Sequence, residues 1–161
     1  MGVQLSTEHA AFLQGPVSIN LAASGRDGWP CVCRAQGCAV SRDRRSVTVL
    51  VSPRRGRELL AAIDGGSAIA AVFSRPATHA TLQLKARQAT RLPPGPALRG
   101  CNRRYAQAFA DELVGLGYGA DLGQGVLALM AAGDLVALRF APEVVFDQTP
   151  GPRAGQVLAT T

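Results

Sequence analysis

Ser52-Pro53-Arg54-Arg55-Gly56-Arg57 is a dense run of charge, with three arginines in six residues. Serine is a favoured N-cap and proline suits the first helical position, so a helix is predicted from Pro53 to Ile63, ended by Gly65-Gly66. Cations in a first helical turn face the positive end of the helix dipole, at a cost of roughly 0.3–1 kcal/mol each. An anion held by the free N–H groups of that turn, flanked by Arg54 and Arg55, offsets the cost, and phosphate suits both kinds of donor. The alternative is that the guanidinium groups point into water, where screening makes the penalty small.

Other chemistries are less well supplied. The four cysteines stand at 31, 33, 38 and 101. Cys31 and Cys33 share one face of a strand and cannot readily bridge each other. Their spacing with Cys38 contains no Cys-x-x-Cys pair, and the two histidines, His9 and His79, are remote in sequence. Free, mostly buried thiols in a reducing compartment are therefore expected, with no metal site. No carboxylate pair and no Ser/His/Asp arrangement is legible, which argues against hydrolysis and leaves catalytic residues unassigned. His79 reads either as an exposed residue at a strand entry or as a substrate contact.

The elements that carry these groups follow from hydropathy pattern. At 161 residues, 47% hydrophobic and 17% charged, the chain matches one folded domain spanning 1–161. No apolar run reaches the ~20 residues that span a bilayer, and the N-terminus lacks a basic, apolar leader, so a cytoplasmic protein is expected. The net charge of +6 invites a nucleic-acid partner, but no aromatic residue is interleaved with the arginines as a stacking platform, so such a partner is not expected.

A short helix is predicted over 7–13 and a strand over 17–22. Asp27-Gly28 then makes a hairpin turn, and a return strand over 30–41 carries a bulge at Gly37. Strands are predicted over 46–52, 67–74 and, as one long element, 78–92. Apolar residues from Leu98 to Leu116 recur at helical spacing, giving an amphipathic helix over 97–116. A short helix over 121–131 precedes a last strand region over 134–146, and 149–161 is an extended or disordered tail. Trp29 is expected to pack at the mouth of the fold, the alternative being that it stacks on a ligand. Short hairpin connections call for antiparallel pairing, so the fold class is mainly β (β+α), a six-stranded antiparallel split barrel with flanking helices.

This order of elements, together with Phe73-Ser74-Arg75-Pro76-Ala77-Thr78-His79-Ala80-Thr81-Leu82-Gln83-Leu84-Lys85-Ala86 and the segment Val49 to Leu60, resembles the pyridoxamine 5′-phosphate oxidase-like, FMN-binding split-barrel family. The resemblance covers roughly Val17 to Leu92. It implies a homodimer with FMN in a groove between the chains and a redox reaction on a small-molecule substrate. It also implies cofactor contacts from Arg34 with its neighbours Val32 and Cys33, from Val49, Leu50 and Ser52 on the third strand, and from Gln83 and His79 on the resembling segment. The family's Ser-Arg-Lys phosphate grip corresponds to Pro53-Arg54-Arg55, where proline replaces the serine and arginine the lysine. Arginine's fork holds phosphate as well as lysine does. A binding or carrier protein for flavin or haem on the same fold, with His79 as a candidate iron ligand, is the alternative.

Overall fold

A computed structural model describes residues 2–131 and 133–161. Helix α1 (Thr7–Leu13) is capped by Ser6, whose hydroxyl accepts from the His9 N–H at 3.0 Å. The strands are β1 (Ser18–Ser24), β2 (Pro30–Val40), β3 (Val47–Val51), β4 (Ile69–Ser74), β5 (Thr81–Ala86), β6 (Thr90–Leu92), β7 (Val136–Phe140), β8 (Val144–Asp147) and β9 (Gln156–Thr160). The remaining helices are α2 (Arg57–Asp64), α3 (Pro96–Gly115) and α4 (Ala120–Ala131). No helix among the described residues is long and apolar enough to cross a membrane.

All pairings are antiparallel, and the strands join in the order β6-β7-β3-β2-β1-β4-β5-β8-β9. The β1–β2 hairpin turns where Asp-Gly places it, with Gly28 at φ 83°. β2 slips register against β3 between Ala35 and Cys38, and Gly37 within the slip has φ 149°. A side chain is strained at that φ, and a Cβ would also meet Leu50 Cδ1 at 3.2 Å.

Six strands were expected to close, and the described residues form nine in an open order. The strand expected over 78–92 breaks after Ala86: β5 pairs with β4 and β8, whereas β6 pairs with β7 at the opposite end of the sheet. The region expected over 134–146 likewise divides at Ala141-Pro142 into β7 and β8. The tail from 149 onward returns as β9 against β8. β7 and β8 lie near opposite ends of the strand order, yet only residues 141–143 join them. Four Cα steps reach about 14 Å at most. The sheet must therefore curl on itself, although edge strands β6 and β9 do not pair with each other among the described residues.

The inner face of the curl buries Ile19, Leu21, Val49, Phe73, Leu84 and Val145. Paired residues share a face, so the opposite, outer face follows from the ladder. One row there is Arg34, Asn20, Val72, Gln83 and Phe146. The next is Val32, Ala22, Ala70, Lys85 and Val144. Helix α3 packs on β2, with the buried Tyr105 hydroxyl donating to the Val17 carbonyl at 2.8 Å.

Candidate functional site

The segment from Ser52 to Gly56 is where the structure departs most from the expected helix start. Helix α2 begins at Arg57, with Gly56 in the cap position and no side-chain cap bond. Residues 52–56 form a separate turn, closed by the Gly56 N–H donating to the Ser52 carbonyl at 2.8 Å. Ser52 is therefore not the N-cap, and Arg54 and Arg55 precede the helix. The cause lies in tertiary packing. A Cβ on Gly56 would collide with Val51 Cγ1 and approach Cys33 Sγ to 3.2 Å, so the backbone dives against the core there before the helix can start.

The turn forms one wall of a cleft of about 710 Å³, lined by Ser52, Pro53, Arg54 and Arg55 on that side and by Gln36, Leu129, Gly133 and Asp134. Both arginines are exposed, and among the described residues neither is ion-paired with a carboxylate. Two free guanidinium groups beside a hydroxyl in a concave site form a donor set for an anion with several acceptor oxygens. The opposite wall is tied down by Asn102, a buried residue of α3. Its Nδ2 donates to the Gln36 carbonyl at 2.6 Å and to the Met130 carbonyl at 3.1 Å, joining the β2 bulge to the end of α4. Neither Gln36 nor Asn102 was expected from sequence. The only local signal was a polar residue beside the bulge glycine and another on the apolar face of the long helix.

The other expected site residues fall into three groups. Cys33, Val49 and Leu50 turn their side chains into the interior. Burial first, and Cys31 second, push the Cys33 thiol up to about 11. The β3 backbone is held in ladders on both sides, by β2 and by β7. Val32, Arg34 and Gln83 lie on the outer face. Arg34 stands over the Phe109 ring at 4.9 Å, and Gln83 Oε1 accepts from Gln148 Nε2 at 3.2 Å. His79 sits exposed in the β4–β5 loop with φ 59°, outside the cleft lining. Of the expected site residues, Ser52, Arg54 and Arg55 line the cleft together, and the others are not part of that lining, although Cys33 Sγ lies close beneath Gly56.

Trp29 does not pack as expected: it is 74% exposed and borders a second cleft of about 460 Å³ with Arg26 and Glu58. A third, apolar cleft of about 600 Å³ lies on the outer face over Ala22, Ala70 and Val144, rimmed by Lys85, Arg87 and Glu143.

No family model and no curated protein matches the chain. Solved structures do match in fold. An F420 reductase superposes with a TM-score of 0.57 at 18% identity, over 88% of this chain and 98% of that one. HupZ from Group A Streptococcus gives 0.55 at 13% identity, over 94% and 99%. A protein assigned as a pyridoxamine 5′-phosphate oxidase from Lactobacillus delbrueckii gives 0.54 at 17% identity, over 89% and 93%.

Proposed function

We propose that this chain, which has the pyridoxamine 5′-phosphate oxidase-like fold, binds FMN by its phosphate in the arginine cleft and acts as a flavin-dependent oxidoreductase on a small molecule. The observation that carries the reading is the donor set Ser52, Arg54 and Arg55, free of carboxylate partners and gathered on one wall of a cleft. The fold of a reductase and of an assigned oxidase supports the redox part by analogy.

The residues present fit a phosphate monoester. Two guanidinium groups neutralise its charge, and the Ser52 hydroxyl supplies a neutral donor. When bound, FMN supplies the hydride or electron exchange, and the protein supplies orientation and electrostatics. A haem reading needs an axial ligand facing the ligand cavity, and His79 stands outside the cleft. Fluorescence titration with FMN and with riboflavin tests the phosphate grip. FMN is expected to bind at micromolar concentration and riboflavin at least tenfold more weakly; equal affinity, or no binding of either, refutes the reading.

The same proposal includes a homodimer through the outer face. Val32 is 67% exposed there, beside the apolar cleft over Ala22 and Ala70. Isolated apolar side chains at a surface are ordinary, whereas an apolar patch continuous with a cleft marks an interaction surface. Sedimentation should show a dimer for the native chain and a monomer for Val32→Arg, with unchanged circular dichroism. A monomeric native chain removes this part of the proposal.

A further inference from the structure

Trp29 is the only tryptophan of the chain, and it stays exposed although its backbone is firmly held. Its carbonyl accepts from the Gly25 N–H at 2.7 Å, and its own N–H donates to the Asp27 carboxylate at 3.1 Å. A braced turn therefore presents the indole at the cleft of about 460 Å³ between the β1–β2 hairpin and α2. The dimer proposed through the outer face does not account for this. Val32 lies on that face, whereas Trp29 shares its cleft with the inward-facing Cys31 and with Ala61 and Ala62 of α2. An indole left in water forgoes a large apolar burial, so its presentation beside a cleft calls for a reason. Arg26 and Glu58 complete the polar part of the lining; both are exposed, and neither is ion-paired among the described residues. Glu58 belongs to the first turn of α2, while Arg26 Nε stands 4.0 Å from where a Cβ on Gly65 would lie, at the other end of the helix. The two opposite charges thus stand apart along α2, with the small residues Ala61 and Ala62 between them on the helix.

We infer that this second cleft binds a free aromatic amino acid. The flat indole face takes the ligand's ring by stacking. The Arg26 guanidinium donates to the ligand's carboxylate, and the Glu58 carboxylate accepts from its ammonium. A ligand carrying only a positive charge is repelled by Arg26, and one carrying only a negative charge by Glu58, so the zwitterion is preferred to either. Trp29, Arg26 and Glu58 all lie outside the lining of the arginine cleft, so the inference does not depend on FMN binding there.

Because Trp29 is the only tryptophan, its fluorescence reports on this cleft alone. Emission from Trp29 and calorimetry are followed together during titration with L-phenylalanine, with phenethylamine, which lacks the carboxylate, and with 3-phenylpropionate, which lacks the ammonium. L-phenylalanine should change the emission saturably and bind at least tenfold more tightly than either truncated ligand. Arg26→Gln should weaken L-phenylalanine about tenfold and leave phenethylamine within twofold; Glu58→Gln should weaken it equally and leave 3-phenylpropionate within twofold. Both substitutions are at exposed positions and should leave the fold and FMN affinity unchanged. The inference is overturned if neither measurement detects L-phenylalanine up to about 10 mM, or if heat is released without a change in Trp29 emission. It is equally overturned if either truncated ligand binds as tightly as L-phenylalanine, or if each variant weakens all three ligands alike.

Discussion

Replacing Arg54 and Arg55 together by alanine is expected to weaken FMN binding about a hundredfold or more and to leave the melting temperature within a degree or two. Hydrogen bonds to a charged group contribute about 1.5–3 kcal/mol each. The lower half of that range applies here because both side chains are exposed and partly screened. Two such contacts give about 3 kcal/mol, and 1.4 kcal/mol is a factor of ten. Folding should not change, because neither arginine is ion-paired with a carboxylate among the described residues and surface substitutions of this kind fall within about 0.5 kcal/mol. Each single variant should lose about tenfold, and riboflavin affinity should be indifferent to all three. Fluorescence titration reads each of these values. A double variant that binds FMN as the native chain does places the phosphate elsewhere.

Gly56→Ala should cost both stability and affinity. The backbone at Gly56 has φ −97°, which any residue adopts, so the cost arises from space and not from torsion. A Cβ there runs into Val51 Cγ1 and stands 3.2 Å from Cys33 Sγ and 3.3 Å from the Ser52 carbonyl. Val51 is fully buried and held in the ladder between Ala35 and Val136, so it cannot retreat cheaply. Overpacking of this kind costs about 1–3 kcal/mol, and in a domain of this size each kcal/mol moves the melting point by about 2–4 °C. A fall of about 5–10 °C is expected by thermal melt. The turn that carries Ser52, Arg54 and Arg55 should shift with it, weakening FMN several-fold. Gly115→Ala is the control: a Cβ there meets nothing within 4 Å, and its melting temperature should hold or rise.

What was legible in the sequence was local. Asp27-Gly28 marks its hairpin because only a few residues accept positive φ, and Gly37 marks its bulge for the same reason. The three- and four-residue spacing of Leu98, Cys101, Tyr105 and Phe109 marks α3. The error at Ser52-Pro53 has the same origin. Those two residues carry a genuine helix-start signal, but the close approach of Gly56 to Val51 and Cys33 is a contact between segments, and it delays the helix until Arg57. The break at Ala141-Pro142 and the parting of β5 from β6 depend on which strands lie at each end of the sheet, which hydropathy alternation does not encode.

The site was legible in part. Arg54 and Arg55 stood out by charge density and do share a cleft with Ser52. Arg34, Gln83 and His79 were tied to them only through resemblance, and the fold sets those residues on the outer face and in the β4–β5 loop. Gln36 and Asn102 went unnoticed because their importance comes from burial and from bonds across 66 and 28 residues of chain. Bonds at that range leave no periodic trace.

The most direct test of where the cofactor sits is a crystal structure of the protein grown with saturating FMN. The phosphate is expected between Arg54 and Arg55, about 3 Å from their guanidinium nitrogens and from the Ser52 hydroxyl. FMN density with its phosphate in the apolar cleft over Ala22 and Ala70, or crystals in which the arginine cleft holds no flavin at all, would contradict the proposed site.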